Sequence, residues 1–266
     1  MKLSAMFAPR DMTQGTPWKR IVEFAVPMLI GNIAQQMYST VDSIVVGKYV
    51  GDNALAAVGS ASPILNLLLV LFVGISTGAS IMVSQYFGAK DRERLSNTIG
   101  NCITLAIASS IIIAVLGVII CRPLLELLNT PASIIDWCQD YLNIFFVGII
   151  GFTFYNILSG LMRGLGDSFS ALLYLLIATV LNIGLDVWFV AGFGMGVPGV
   201  ALATVLAQGI SALFCLLKMM RMKASFDLTR ETLRPRKQYV LEVIKLGLPS
   251  GLTQAIFSLA MIIVQS

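Results

Sequence analysis

Two aspartates, Asp42 and Asp186, lie in apolar stretches where a charged group is unexpected. The other twelve of the fourteen acidic residues lie in polar segments or at the edges of apolar ones. An acid inside a membrane helix costs about 2.5 to 3.5 kcal/mol, so its retention usually indicates a function. The alternative is that each acid is simply hydrated near the outer headgroups. No lysine or arginine in these stretches lies deep enough to neutralise either one.

Polar residues accompany both aspartates at helical spacing. In the first stretch six of them recur at i, i+3, i+4, i+7, i+10 and i+11, which places them on one helical face. These six are Asn32, Gln35, Gln36, Ser39, Asp42 and Ser43, with Tyr38 at the edge. Matching stripes further along are Thr179, Asn182 and Asp186, and then Thr204, Gln208 and Ser211. Such faces avoid lipid, so the three stripes predict a wet cleft among three helices.

The two carboxylates allow two kinds of chemistry. If both carboxylates lie in one cleft, they titrate as a coupled pair, and binding or release of a proton could then serve as a signal. Their oxygens, with those of Asn182 and Thr204, could instead hold a sodium ion, a hard cation that prefers oxygen ligands. The sequence does not choose between the two ions.

An enzyme is not expected, because the sequence shows no set of nucleophile, base and metal ligands. It contains no histidine, and its four cysteines have no metal-ligand spacing. We therefore expect neither a metal site nor a cofactor other than the proton or sodium ion that the two acids could bind.

The elements that must position these residues are transmembrane helices. Only 12% of the 266 residues are charged, 57% are apolar and the mean hydropathy is +0.85, whereas soluble domains carry about 25% charged residues. Long charge-free stretches approach the ~20 residues that a helix needs to cross the hydrocarbon layer. The sequence predicts an all-α membrane protein with spans near 21–47, 54–85, 95–121, 136–162, 168–191, 197–218 and 243–266.

Basic residues predict the orientation. If the N-terminus is cytoplasmic, sixteen of the eighteen lysines and arginines lie in inner segments, and only Lys48 and Arg122 lie outside. This bias fixes topology in membrane proteins. The net charge of +4 therefore reports orientation in a lipid bilayer, and no nucleic-acid partner is expected.

A repeat predicts the domain organisation. The first span opens with Phe-Ala-Val-Pro ending at Pro27, and the seventh opens with Leu-Gly-Leu-Pro ending at Pro249, 222 residues later. Matching prolines suggest a duplicated six-helix unit, unless two unrelated helices share a kink by coincidence. We expect a cytoplasmic segment (1–20), a six-helix lobe (21–218), a cytoplasmic linker (219–242) and the first helix of a truncated second lobe (243–266).

Several spaced motifs together resemble those of the multidrug and toxic compound extrusion (MATE) transporters, over the whole chain. The motifs are Pro27 with Gln35, Tyr38 and Asp42 before Val46-Gly47; Ala54 to Gly59; Gln85 to Ala89; Arg163-Gly164-Leu165-Gly166-Asp167; Asn182 with Asp186; and Gly247-Leu248-Pro249. The resemblance implies half of a twelve-helix, two-lobe transporter that exports small organic, often cationic, drugs and toxins across a bacterial or archaeal cytoplasmic membrane in exchange for H⁺ or Na⁺. It also implies that transport needs the missing C-lobe or a partner chain.

Residue roles follow from the same resemblance. The pairing of Asn182 with Asp186 is similar to the DinF-like branch. That likeness implies a cation site of Asp42, Asn182, Asp186 and Thr204, a substrate cavity with Gln35, Tyr38 and Asn156, and a hinge at Pro27.

Two other functions compete with drug export. A flippase for lipid-linked precursors, from the same superfamily, would favour basic residues along the cavity to hold pyrophosphate, and the sequence shows none there. Asp42 and Asp186 each precede the estimated outer end of their helix, Gly47 or Ala191, by five residues, so they lie at about the same depth. A non-transporting membrane scaffold or receptor would have no use for two acids at one depth.

Overall fold

The computed structural model describes Met12, residues 15–222 and residues 225–265, and within them the regular structure is entirely helical. This confirms the all-α fold class. A π-helical turn, Val187–Gly192, extends the sixth helix. The α-helices are α1 (Pro17–Tyr49), α2 (Asp52–Gly88), α3 (Arg92–Leu127), α4 (Ile135–Val147), α5 (Ile149–Gly164), α6 (Ser168–Asp186), α7 (Gly196–Arg221) and α8 (Lys237–Gln265).

Helix covers each of the seven predicted spans, with shifted boundaries. The fourth span divides into α4 and α5, which meet at an angle of 53° around Gly148. The helix α8 begins at Lys237, inside the segment predicted as linker, and most of segment 1–20 lies outside the described residues. By length and composition, three described helices (α3, α6 with its π-turn, and α7) can cross a membrane, or four if α4 and α5 form one span. The seven-span count and the domain boundaries stay predictions.

A tight turn links α5 to α6 at the Arg-Gly-Leu-Gly-Asp motif. Gly166 has φ +79°, a left-handed conformation that glycine adopts without strain. Its N–H donates to the Arg163 carbonyl at 2.9 Å, and the Asp167 N–H donates to the Met162 carbonyl at 2.9 Å, which ends α5. Asp167 then caps α6 by accepting from the Ser170 N–H. The glycines of this motif therefore allow the chain to reverse direction between α5 and α6.

Close glycine contacts hold the bundle together around α5, which packs against α2, α3 and α7. A Cβ on Gly151 would lie 2.8 Å from Gly209 Cα, so α5 and α7 approach to backbone contact. The apolar core has two clusters along the helices. One contains Val46, Leu142 and Val197, and the other contains Leu95, Leu161 and Met219.

The helix α8 docks on α2 through small residues. A Cβ on Gly78 would overlap the Val243 carbonyl oxygen, and one on Gly247 would overlap the Gly74 carbonyl oxygen. Small residues permit such close approach of membrane helices. The helix that begins the predicted second lobe is thus fixed to the first.

The segment between α7 and α8 lies against α3. Arg92 binds Asp227 with two hydrogen bonds of 2.8 and 2.9 Å, and holds the pKa of that carboxyl below its usual value. Thr104 donates to the Leu233 carbonyl at 2.7 Å, and Asn101 accepts from the Arg236 N–H at 2.6 Å. Hydrogen bonds therefore hold this described part of the linker against α3.

Candidate functional site

The two aspartates meet where α1 crosses α6. Asp186 is fully buried, and Asp42 is 8% exposed. Their carboxyl groups lie close enough to interact directly, and the Asn182 side chain is within reach of both. Asn182 Nδ2 also points at Thr204 Oγ1 of α7, at 3.4 Å. The structure therefore brings together all four residues expected at the cation site; their role stays a prediction.

Several buried oxygens in this site have no hydrogen-bond partner among the described residues. They are both carboxyl oxygens of Asp186, Oδ1 of Asp42 and Oδ1 of Asn182. No described lysine or arginine forms an ion pair with either acid. Unpaired buried charge is strongly unfavourable, so two facing carboxyl groups require a shared proton or a bound cation. The site is chemically suited to bind either one.

The backbone changes form at Asp186. This residue ends α6, and the next six residues form the π-helical turn. Such insertions in α-helices are rare and are frequent at functional sites. The sequence predicted one uninterrupted span over 168–191, so this feature was missed.

Tyr141 of α4 is a member of the site that sequence reasoning missed. It is 6% exposed, and its hydroxyl lies near enough to both Asp42 and Asp186 to interact electrostatically. Tyr38 also lies near both acids and approaches Thr204, although its hydroxyl makes no aligned hydrogen bond. A tyrosine among the many aromatic residues of an apolar span gives no sequence signal of this position.

The other predicted cavity residues separate into two groups. Gln35 is exposed on the open face of α1, together with most of that helix's polar stripe. Asn156 does not join the acid pair: its side-chain amide donates to the Phe152 carbonyl at 2.9 Å, and its own carbonyl accepts from the Ser76 hydroxyl at 2.6 Å. The structure thus places Gln35 on an open surface and Asn156 against α2.

Pro27 lies at a loosely packed part of α1. This helix contacts mainly α6, and Pro27 borders two cavities of about 400 and 70 Å³. A proline inside a helix removes one backbone hydrogen bond. Weak packing and a missing bond at one point are compatible with the predicted hinge.

Metal ligands do not cluster elsewhere in the described part of the chain, where no group of three or more His, Cys, Asp or Glu residues could hold a metal ion. The cysteines are all free and buried.

Comparison with known proteins connects this geometry to one family. The MatE family model matches residues 27–188. The chain is 33% identical, over 96% of its length, to the probable multidrug resistance protein YpnP of Bacillus subtilis, and covers 57% of that protein.

Solved structures give the same relationship. An outward-facing multidrug resistance MATE family transporter of the MOP superfamily matches with a TM-score of 0.89 at 28% identity, covering 95% of this chain and 56% of that one. A MOP superfamily transporter from Pyrococcus furiosus matches with a TM-score of 0.88 at 28% identity, with the same coverage. The chain spans about half the length of these relatives.

Proposed function

This chain belongs to the MatE family of membrane transporters, and from that premise we propose that it forms the N-terminal lobe, with the first helix of the second lobe, of a cation-coupled exporter. The exporter moves small organic, often cationic, compounds out of the cell in exchange for inward H⁺ or Na⁺. Two relatives of this chain have names that refer to multidrug resistance. The N-terminus lies on the cytoplasmic side.

One observation carries this proposal: two carboxyl groups face each other in the lobe with no described basic partner. A lone buried pair of this kind is costly, which favours a site that is filled and emptied during transport. A proton shared between the acids removes one charge, and a sodium ion bound by the carboxyl, Asn182 and Thr204 oxygens compensates both. Either event changes the charge on α1.

The helix α1 connects this change to the substrate path. Its polar face, which includes Gln35, is exposed, and we propose that a second lobe closes a cavity over this face. Pro27 lies on the same helix, so altered charge at Asp42 favours a different bend there. We propose that transport needs the second lobe, because alternating access requires two lobes that move against each other.

Substitution of the acids tests the proposal in the full-length transporter. We expect Asp42→Asn and Asp186→Asn each to abolish coupled export while leaving membrane insertion near normal, because a buried amide costs less than an unpaired charge. The double variant is no worse than either single one, as expected for groups that act as a unit. Asp52→Asn, at the exposed start of α2, is the matched control and keeps full activity.

Drug efflux and ion counter-flow in proteoliposomes provide the measurement. Export driven by a sodium gradient at equal pH identifies Na⁺ as the coupling ion, and export driven only by a pH gradient identifies H⁺. Coupling close to wild type in either single variant would contradict a shared cation site.

A further inference from the structure

Arg163 occupies an environment that its place in the sequence did not suggest. In the sequence it lies just after the predicted span 136–162 and before the predicted span 168–191. The structure instead places it half-buried in the last turn of α5, with Nη2 3.5 Å from Ser76 Oγ of α2. That distance is at the limit for a hydrogen bond, and the Ser76 hydroxyl already donates to the Asn156 carbonyl at 2.6 Å.

No carboxylate compensates this guanidinium among the described residues. Arg163 is absent from every ion pair that they form. The nearest acid along the chain, Asp167, uses its two oxygens to accept from the Ser170 N–H at 3.0 Å and the Ser170 hydroxyl at 2.8 Å. Arginine stays protonated in proteins and carries five N–H donors, so most of its hydrogen-bonding capacity has no protein acceptor here.

A small cavity of about 70 Å³ lies beside Arg163, between α1, α5 and α6. Its polar lining consists of Arg163, Asn32, Tyr155 and Ser168, and its lining contains no acidic residue. Ser168, the first residue of α6, contributes a hydroxyl that can donate a hydrogen bond. The volume exceeds what a single water molecule needs, so it can hold a monatomic anion or one carboxylate group.

We propose that this cavity, lined by Arg163, Asn32, Tyr155 and Ser168, is a binding site for a small anion, either chloride or the carboxylate group of a small molecule. The anion compensates the guanidinium and accepts hydrogen bonds from the Arg163 fork. Because Pro27, Gly31 and Asn32 also line the cavity, a bound anion connects α1 near its proline to α5 and α6. This site does not depend on the proposed transport cycle.

Thermal unfolding of the purified 266-residue chain tests the site. The unfolding midpoint is measured at constant ionic strength while the sodium salt of a bulky sulfonate such as HEPES, which carries no carboxylate group, is replaced by sodium chloride or by sodium acetate. A ligand that binds only the folded state raises the midpoint with concentration, so we expect a rise of several degrees. A rise with chloride alone identifies a halide site, and a rise with acetate identifies a site that also accepts carboxylates.

Variants distinguish this site from general salt effects. Arg163→Gln removes the anion-dependent rise, and Arg163→Lys, which keeps the charge without the fork, reduces it. Arg122→Gln is the matched control, because Arg122 is an exposed arginine paired with Glu126 and Asp136, and it retains the full rise.

A second variant covers the case in which Arg163→Gln does not fold. Asn32→Leu, on the exposed side of α1, places an apolar group in the cavity and weakens the rise without removing the arginine. No rise with either anion in the wild-type chain, or an undiminished rise in both Arg163→Lys and Asn32→Leu, would overturn the proposal.

Discussion

At the scale of single residues, the acid pair is surrounded by groups that can respond to its charge. Asp42 comes from α1, Asn182 and Asp186 from α6, Thr204 from α7 and Tyr141 from α4. Four helices therefore contribute to one small volume. Removal of the Asn182, Thr204 or Tyr141 side chain changes the environment of a bound ion without removing the acids themselves.

The contribution of Tyr141 to ion binding can be measured by removing only its hydroxyl oxygen. We expect Tyr141→Phe to weaken the apparent affinity for the coupling ion about fivefold, because one buried hydrogen-bonding or dipolar contact contributes about 1 kcal/mol. The measurement is the ion concentration that half-saturates export by the full-length transporter in proteoliposomes.

Tyr155→Phe is the matched control for that experiment. Tyr155 is equally buried, but its hydroxyl donates to the Ala171 carbonyl at 3.4 Å, away from the acids. Its loss lowers stability and leaves ion affinity unchanged. Equal effects of the two substitutions on ion affinity would exclude a specific role for Tyr141.

At the scale of helices, the contact of α2 with α8 depends on the absence of side chains. Gly74 and Gly78 of α2 face Gly247 and Gly251 of α8 at backbone distance. Larger residues would separate the two helices and shift the linker that precedes α8. The structure therefore predicts that small residues on both helices are required for this docking.

Two alanine substitutions test that requirement. Gly78→Ala places a methyl group against the Val243 carbonyl oxygen, and we expect a loss of about 1 to 3 kcal/mol in the free energy of unfolding. Gly184→Ala in α6 meets no atom within 4 Å and is neutral, or stabilising by up to about 1 kcal/mol through helix propensity. Unfolding midpoints in detergent measure both, and equal midpoints would contradict the close packing.

At the scale of the whole molecule, the predicted orientation rests on the basic residues at the two ends of the bundle. Lys48 and Arg122 lie at the ends of α1 and α3, whereas Arg92 and the docked linker lie at the opposite end of α3. The side of α3 between these ends is apolar and exposed, as in a lipid-facing helix, with Ile111, Ile112, Val115 and Ile119 each about half exposed or more. The two ends thus differ strongly in basic charge.

Labelling in intact cells tests the orientation. We expect Lys48→Cys to react with a membrane-impermeant thiol reagent added outside, and Arg230→Cys to react only after the membrane is opened, because basic segments stay in the cytoplasm. Both residues are exposed, and the native cysteines are buried, so background labelling is low. External labelling of Arg230→Cys would reverse the assigned topology.

Sequence alone determined the features that depend on local composition and spacing. Long uncharged stretches specify membrane helices, and helical periodicity placed Asp42, Asn182, Asp186 and Thr204 on faces that avoid lipid. The structure brings these four residues together where α1, α6 and α7 pack against one another. The stripes of α6 and α7 are buried, whereas most of the stripe on α1 is exposed, so a polar stripe alone does not predict burial.

Tertiary structure alone decided the features that depend on which faces meet. The position of Tyr141, the inward path of Arg163 and the docking of the linker on α3 each join residues distant in sequence. Hydrophobic pattern identifies an apolar face but not the neighbour that covers it, and a turn motif does not specify where its side chains point. The packing of the helices fixes such contacts, and the sequence does not specify which helices meet; α2 and α8, for example, approach closely because Gly78 and Gly247 carry no side chain.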